Sequence, residues 1–154
     1  MSDDELLSRI KRHEGAVRSG DRHVVYDDAT GQPIGPGTIV QGNPTIGYGR
    51  LVTGGNGISE QEAEELLRND VASVRAQLDR RLPWWRQKLD TTRRQAVLEM
   101  AFNLGVGGLL SFRNMLAALE AGDYETAATE ALDSRWAQQV GHRANNIAER
   151  IRLG

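Results

Sequence analysis

At 154 residues the chain suits one domain, or a small lobe joined to a larger one, and it is long enough to bury a core without help from a metal or disulfide. It contains no cysteine, which excludes a disulfide scaffold, a thiolate zinc site and cysteine-nucleophile chemistry. A formal net charge of −2 offers no field for nucleic acid or an anionic membrane. The acidic start Met1-Ser2-Asp3-Asp4-Glu5 is unlike the basic start of a secretory signal, and no apolar run is long enough to cross a bilayer.

In chain order, residues 3–14 place Leu6, Leu7 and Ile10 on one helical face, with Asp3, Asp4 and Glu5 in the first turn, where negative charge suits a helix N-terminus. Gly15 is a natural stop after Glu14. The helical period then disappears. Between Gly15 and Gly57 lie nine more glycines and three prolines, interrupted by β-prone runs at Val24-Val25-Tyr26, Thr38-Ile39-Val40 and Thr45-Ile46-Gly47-Tyr48. A small antiparallel sheet with turns at 29–37 and 41–44 is the simplest reading.

Ser59-Glu60-Gln61-Glu62 reads as a capping box opening a helix over about 59–80, with Ala63, Leu66, Leu67, Val71, Val74 and Leu78 as its apolar stripe. Asp70 lies on or beside that stripe, where a charge is costly unless paired. Pro83 suits a first helical turn. Helices are expected over 91–104, 111–121, from Asp123 through Leu132, over 134–140 and over 141–153, with the glycines from Gly105 to Gly108 and Gly122-Asp123 as joints. No repeat, low-complexity tract or interdomain linker is visible.

The chemistry to consider is glycoside hydrolysis, which needs one carboxylic acid to protonate the leaving oxygen and a second carboxylate to activate water or attack the sugar. Glu14, at a helix end, and Asp28, in the β-prone stretch, are candidates. On composition alone the pair is a weak signal, because 21 acidic residues make many accidental pairs. Asp27 rivals Asp28, since neighbours in a strand face opposite sides, and Thr45 taken by itself reads first as an ordinary strand residue. His13, His23 and His142 have no metal-ligand spacing, so no metal is expected. Trp84, Trp85 and Trp136 are candidates for sugar stacking, with core packing the stronger reading for Trp136. The Gly105–Gly108 run lacks the lysine and hydroxyl residue of a phosphate loop.

Taken together, Arg12-His13-Glu14-Gly15, Val25-Tyr26-Asp27-Asp28, Thr45-Ile46-Gly47-Tyr48-Gly49-Arg50, the capping box, Asn69-Asp70-Val71, Phe102-Asn103-Leu104-Gly105 and Ser134-Arg135-Trp136 resemble the phage-type lysozymes of the T-even phage group, in the right order over about residues 5–152. The resemblance implies an α+β lysozyme-like fold in a single domain over 1–154. Its parts would be a β-rich lobe at about 15–58, a connecting helix at about 59–80, and a helical lobe at about 81–154 that also takes in the N-terminal helix 3–14, with the substrate cleft between the lobes. It implies Glu14 as the catalytic acid, Asp28 as the carboxylate that positions or activates the attacking water, and Thr45 as a holder of that water. Asn103 and Arg143 match positions near the substrate. Arg50 stands where members commonly have histidine and is expected to pair structurally with Asp70.

Two intervals are longer than in familiar members, with the extra residues around Arg18–His23 and Thr30–Asn43. The implied function is a lysozyme: endo-hydrolysis, with inversion, of the β-1,4 bond between N-acetylmuramic acid and N-acetylglucosamine in bacterial peptidoglycan, with no cofactor. A lytic transglycosylase and a catalytically silent wall-binding module are the alternatives. A phage or prophage origin is implied. The protein is expected to be a monomer that does not insert in membranes, made in the host cytoplasm without a signal peptide and released to the periplasmic wall through a separate holin-type pore protein.

Overall fold

A computed structural model of the chain describes residues 2–154, an α+β fold of short strands and many helices that divides into two compact units, one ending at Ala63 and the other running Glu64–Gly154. The first unit opens with α1 (Asp3–Glu14). Ser2 caps it: its hydroxyl accepts from the Glu5 N–H while the Glu5 carboxylate accepts from the Ser2 N–H, the reciprocal pattern of a capping box. Gly15 ends the helix with φ +68°, a conformation that glycine takes without strain. α1, expected with the helical lobe, clusters with the first unit. There the Lys11 ammonium stands 5.5 Å above the Tyr48 ring.

Two small sheets follow. β1 (Arg18–Ser19) and β2 (Arg22–His23) form a hairpin from the first set of extra residues. β3 (Tyr26–Asp27), β4 (Pro44–Ile46) and β5 (Arg50–Leu51) make an antiparallel sheet in that order, with Tyr26 opposite Thr45 and Thr45 opposite Leu51. The long insertion between β3 and β4 lies back along the free edge of β3. The Asp27 N–H donates to the Gln32 carbonyl, the Ile34 N–H donates to Val25, and Tyr26 bridges to Pro33. An edge strand is thereby covered by its own loop. Thr38-Ile39-Val40, expected as a strand, is not one: its residues find no ladder partner and Ile39 is 87 % exposed.

α2 (Glu60–Arg81) starts at the expected box, with the Ser59 N–H donating to Glu62 and the Glu62 N–H donating to the Ser59 hydroxyl; the division between units falls after its first turn. The second unit continues through α3 (Trp85–Lys88), α4 (Thr91–Leu104), α5 (Val106–Leu110), α6 (Arg113–Ala121), α7 (Tyr124–Leu132), α8 (Arg135–Val140) and α9 (His142–Leu153). Asp90, Asp123 and Ser134 cap α4, α7 and α8 by accepting from the N–H three residues on. Leu78, Val97, Met100, Leu109, Met115, Leu119, Ile147 and Ile151 are fully buried and form one core, in which α7 packs on α6 and α9 and α4 packs on α9. The Gly105–Gly108 joint is shorter than the sequence suggests. Gly105 alone makes the turn, at φ +79°, and α5 begins directly after it because burying Val106 and Leu109 offsets the poor helix propensity of two glycines.

Candidate active site

The first unit carries a cleft of about 410 Å³ lined by Glu14, Ala16, Val17, Tyr26, Asp28, Gly31, Thr45, Gly49 and Leu51. Each carboxyl arrives from a different element. Glu14 is the last residue of α1, Asp28 follows β3, and Thr45 is the middle residue of β4, paired to Tyr26. Glu14 lies against the main chain of Gly49, so closely that a methyl group there would stand 3.2 Å from Glu14 Oε2. Gly49 has φ +92°, a region an L side chain rarely adopts, so both space and conformation call for glycine.

The two adjacent aspartates divide the work. Asp27 is buried, 1 % exposed, and its carboxylate accepts from the N–H groups of Ala29 (2.9 Å), Gln41 (2.6 Å) and Gly42 (2.9 Å). The Gln41 N–H above all holds this carboxyl below its ordinary range, against the opposing effect of burial, with Ala29, Gly42 and Thr30 adding to it. Asp28 turns the other way, is exposed and lines the cleft. Its Oδ1 accepts from the Asn43 N–H at 2.6 Å, and its Oδ2 accepts from Asn43 Nδ2 at 3.2 Å.

Thr45 is 2 % exposed, and its hydroxyl donates to the Asn43 carbonyl at 3.0 Å. With that hydrogen committed, the oxygen lone pairs remain as acceptors. Asn43 and Gly42 escaped the sequence reading, because their partners lie fifteen positions away. One signal was available: Asn43 and Thr45 are two apart in an extended run and so share a face.

The expected Arg50–Asp70 pair is corrected. The Arg50 guanidinium donates to both Glu62 oxygens, at 3.1 and 3.0 Å, and to the Gly57 carbonyl at 3.2 Å. The reason is distance along the helix: Asp70 is eight residues beyond Glu62, about 12 Å of helix rise, and is exposed. Arg50 and the Ser59 N–H together lower the Glu62 pKa to about 2.

Asn103 and Arg143 belong to the second unit. The Asn103 carbonyl oxygen accepts from the Trp136 indole N–H at 2.8 Å, leaving its amide donors free of that bond, and Arg143 sits exposed in the first turn of α9. Trp136 is buried, as its packing reading required. Among the described residues no cluster of histidine and acidic side chains suits a metal ion.

An α+β chain whose small sheet and first helix present two carboxyls and a threonine to one cleft has the form of a lysozyme-like protein. The sequence profile of the phage lysozyme family matches residues 19–152, and the chain belongs to that family. It is similar to the pre-baseplate central spike protein Gp5 of Enterobacteria phage T4, with 34 % identity over 97 % of this chain and 28 % of that protein. It is also similar to the probable T4-type lysozyme 1 of Dictyostelium discoideum (27 % identity, 97 % of this chain, 77 % of that protein) and to the endolysin of Bacillus phage B103 (37 % identity, 69 % of this chain, 39 % of that protein). The chain therefore spans little more than a quarter of the spike protein and two fifths of the B103 endolysin. Glu14 precedes the profile match, but the two alignments covering 97 % of the chain leave too few residues outside them to omit it.

Proposed function

We propose that this chain is a lysozyme that hydrolyses the β-1,4 bond between N-acetylmuramic acid and N-acetylglucosamine in bacterial peptidoglycan. The observation that carries the reading is the convergence of Glu14, Asp28 and Thr45 on one cleft from a helix end, a strand end and a strand centre. Membership of the phage lysozyme family supports it. Glu14 is the general acid that protonates the leaving oxygen. Asp28 takes one proton from the attacking water, the Thr45 oxygen accepts a hydrogen bond from the O–H that stays on it, and the water's lone pair attacks the anomeric carbon. Water as nucleophile implies inversion. Asn103 and Arg143 are read as substrate contacts. The setting we propose is wall digestion by a monomer from a phage or prophage, with access to the wall depending on a separate pore protein.

The test is clearing of a purified cell-wall suspension, followed by analysis of the fragment ends. Wild type should release reducing ends whose first-formed anomer is inverted. Glu14→Gln and Asp28→Asn should each lose at least about 10²-fold in rate while remaining folded. Anhydro sugar ends would instead identify a transglycosylase, and undiminished clearing by Glu14→Gln would sink the acid assignment.

A further inference from the structure

The interval between Asp28 and Thr45 is filled by a long loop, yet both side chains line the same cleft. Asn43 is the residue that reaches both. Its N–H and its side-chain amide donate to the two different oxygens of Asp28, which fixes the carboxylate's rotation as well as its position. Its carbonyl accepts from the Asp28 N–H at 3.1 Å and from the Thr45 hydroxyl at 3.0 Å. One residue thus orients a carboxylate and, two positions on, engages the threonine's hydrogen so that its oxygen is left as an acceptor.

The loop is built to deliver Asn43 to this place. The buried Asp27 carboxylate gathers N–H groups from the loop's beginning, at Ala29, and from its end, at Gln41 and Gly42. Gly42 runs past Asp28 with no room for a side chain: a Cβ there would stand 2.2 Å from Asp28 Oδ1 and 2.7 Å from the Ala29 Cβ. That close approach lets the next N–H, of Asn43, reach the carboxylate at 2.6 Å.

We propose that Asn43 is a positioning residue for the hydrolytic water, acting through Asp28 and Thr45, and that Asp27 and Gly42 hold the inserted loop so that it can do so. The inference rests on the reading of Asp28 and Thr45 given above. It assigns to the long loop a part in the reaction: the loop supplies the clamp that keeps the base aligned. Glu14 and Tyr26 share the cleft lining with Asp28, and no lysine or arginine is among that described lining.

The experiment compares wild type with Asn43→Ala, which removes only the side-chain donor, Asn43→Asp, which sets a second carboxylate beside the first, and Asp28→Asn. Steady-state kcat and KM on soluble peptidoglycan glycan strands are recorded at one pH, with circular dichroism melts alongside. Asn43→Ala should lower kcat by about tenfold, between no effect and the ~10²-fold of a misplaced group, with KM within about twofold. Asn43→Asp places an acceptor where the amide donor met Asp28 Oδ2, so its kcat should fall further than that of Asn43→Ala, again with KM little changed.

The proposal is overturned if Asn43→Ala keeps wild-type kcat while Asp28→Asn is inactive, an outcome that leaves the reading of Asp28 standing. It is equally overturned if the loss of activity in both Asn43 variants equals the loss of folded fraction, the folded part turning over at the wild-type rate. A fully active Asp28→Asn would instead overturn the reading of the site itself, and this inference with it.

Discussion

Gly49 and Gly47 bracket the turn between β4 and β5, and both have positive φ, +92° and +64°, but only Gly49 touches a cleft carboxyl. Replacing either by alanine forces an L side chain into a disfavoured region and should cost about 1–2 kcal/mol. Gly49→Ala should in addition push the Glu14 carboxyl aside, whereas the space around Gly47 is open. Urea midpoints for the two variants should therefore agree while turnover falls only in Gly49→Ala, by about tenfold or more. Equal turnover in both would mean that Glu14 tolerates the crowding. At this scale Glu14 was legible in the sequence because a helix pattern ends there against a glycine. The choice of Asp28 over Asp27 rests on the family pattern alone, since adjacent residues in a strand differ only in which way they point.

The start of α2 is the element on which local and distant interactions meet. Ser59 and Glu62 satisfy each other's main-chain donors, and Glu62 also receives the Arg50 fork from β5. Ser59→Ala should cost about 1 kcal/mol, as loss of an N-cap does, measured as a shift in the denaturation midpoint. The Glu62 pKa, lowered from 4.5 to about 2 first by Arg50 and then by the Ser59 N–H, sets a pH dependence. A carboxyl whose folded pKa is depressed stabilises the fold fully above its unfolded value. That stabilisation is lost as pH falls from about 4.5 toward 2. The melting temperature should fall across this window, and Glu62→Gln should be less stable near neutral pH with a shallower fall on acidification. Asp79, lowered to about 2 by Arg86 and by the Trp85 indole, adds to the same acid sensitivity in the second unit. The capping box was visible because its partners are three residues apart. Its use by Arg50 was hidden, and the apolar stripe drew attention to Asp70 instead.

Over the whole molecule, a net charge of −2 gives no long-range attraction to an anionic wall, only a weak repulsion. Clearing rates should change by less than about twofold between low and physiological salt, since there is little field to screen. A steep fall with salt would reveal a local basic surface that matters more than the total. Stability of the second unit rests on its single core, in which Ile147→Ala should cost about 2–5 kcal/mol, because a fully buried side chain leaves a cavity behind. The amino-acid sequence by itself determined most of the helices, the capping box at Ser59, the β-rich character of the region around 15–58 and the position of Glu14, because apolar period, capping residues and glycine stops act over three or four neighbours. Only the tertiary structure decided that Asp27 is buried behind three loop N–H groups, that Arg50 binds Glu62, and that Asn43 ties Asp28 to Thr45. Those outcomes depend on which main-chain N–H groups a folded loop returns to a carboxylate across fifteen positions, and no local pattern encodes that.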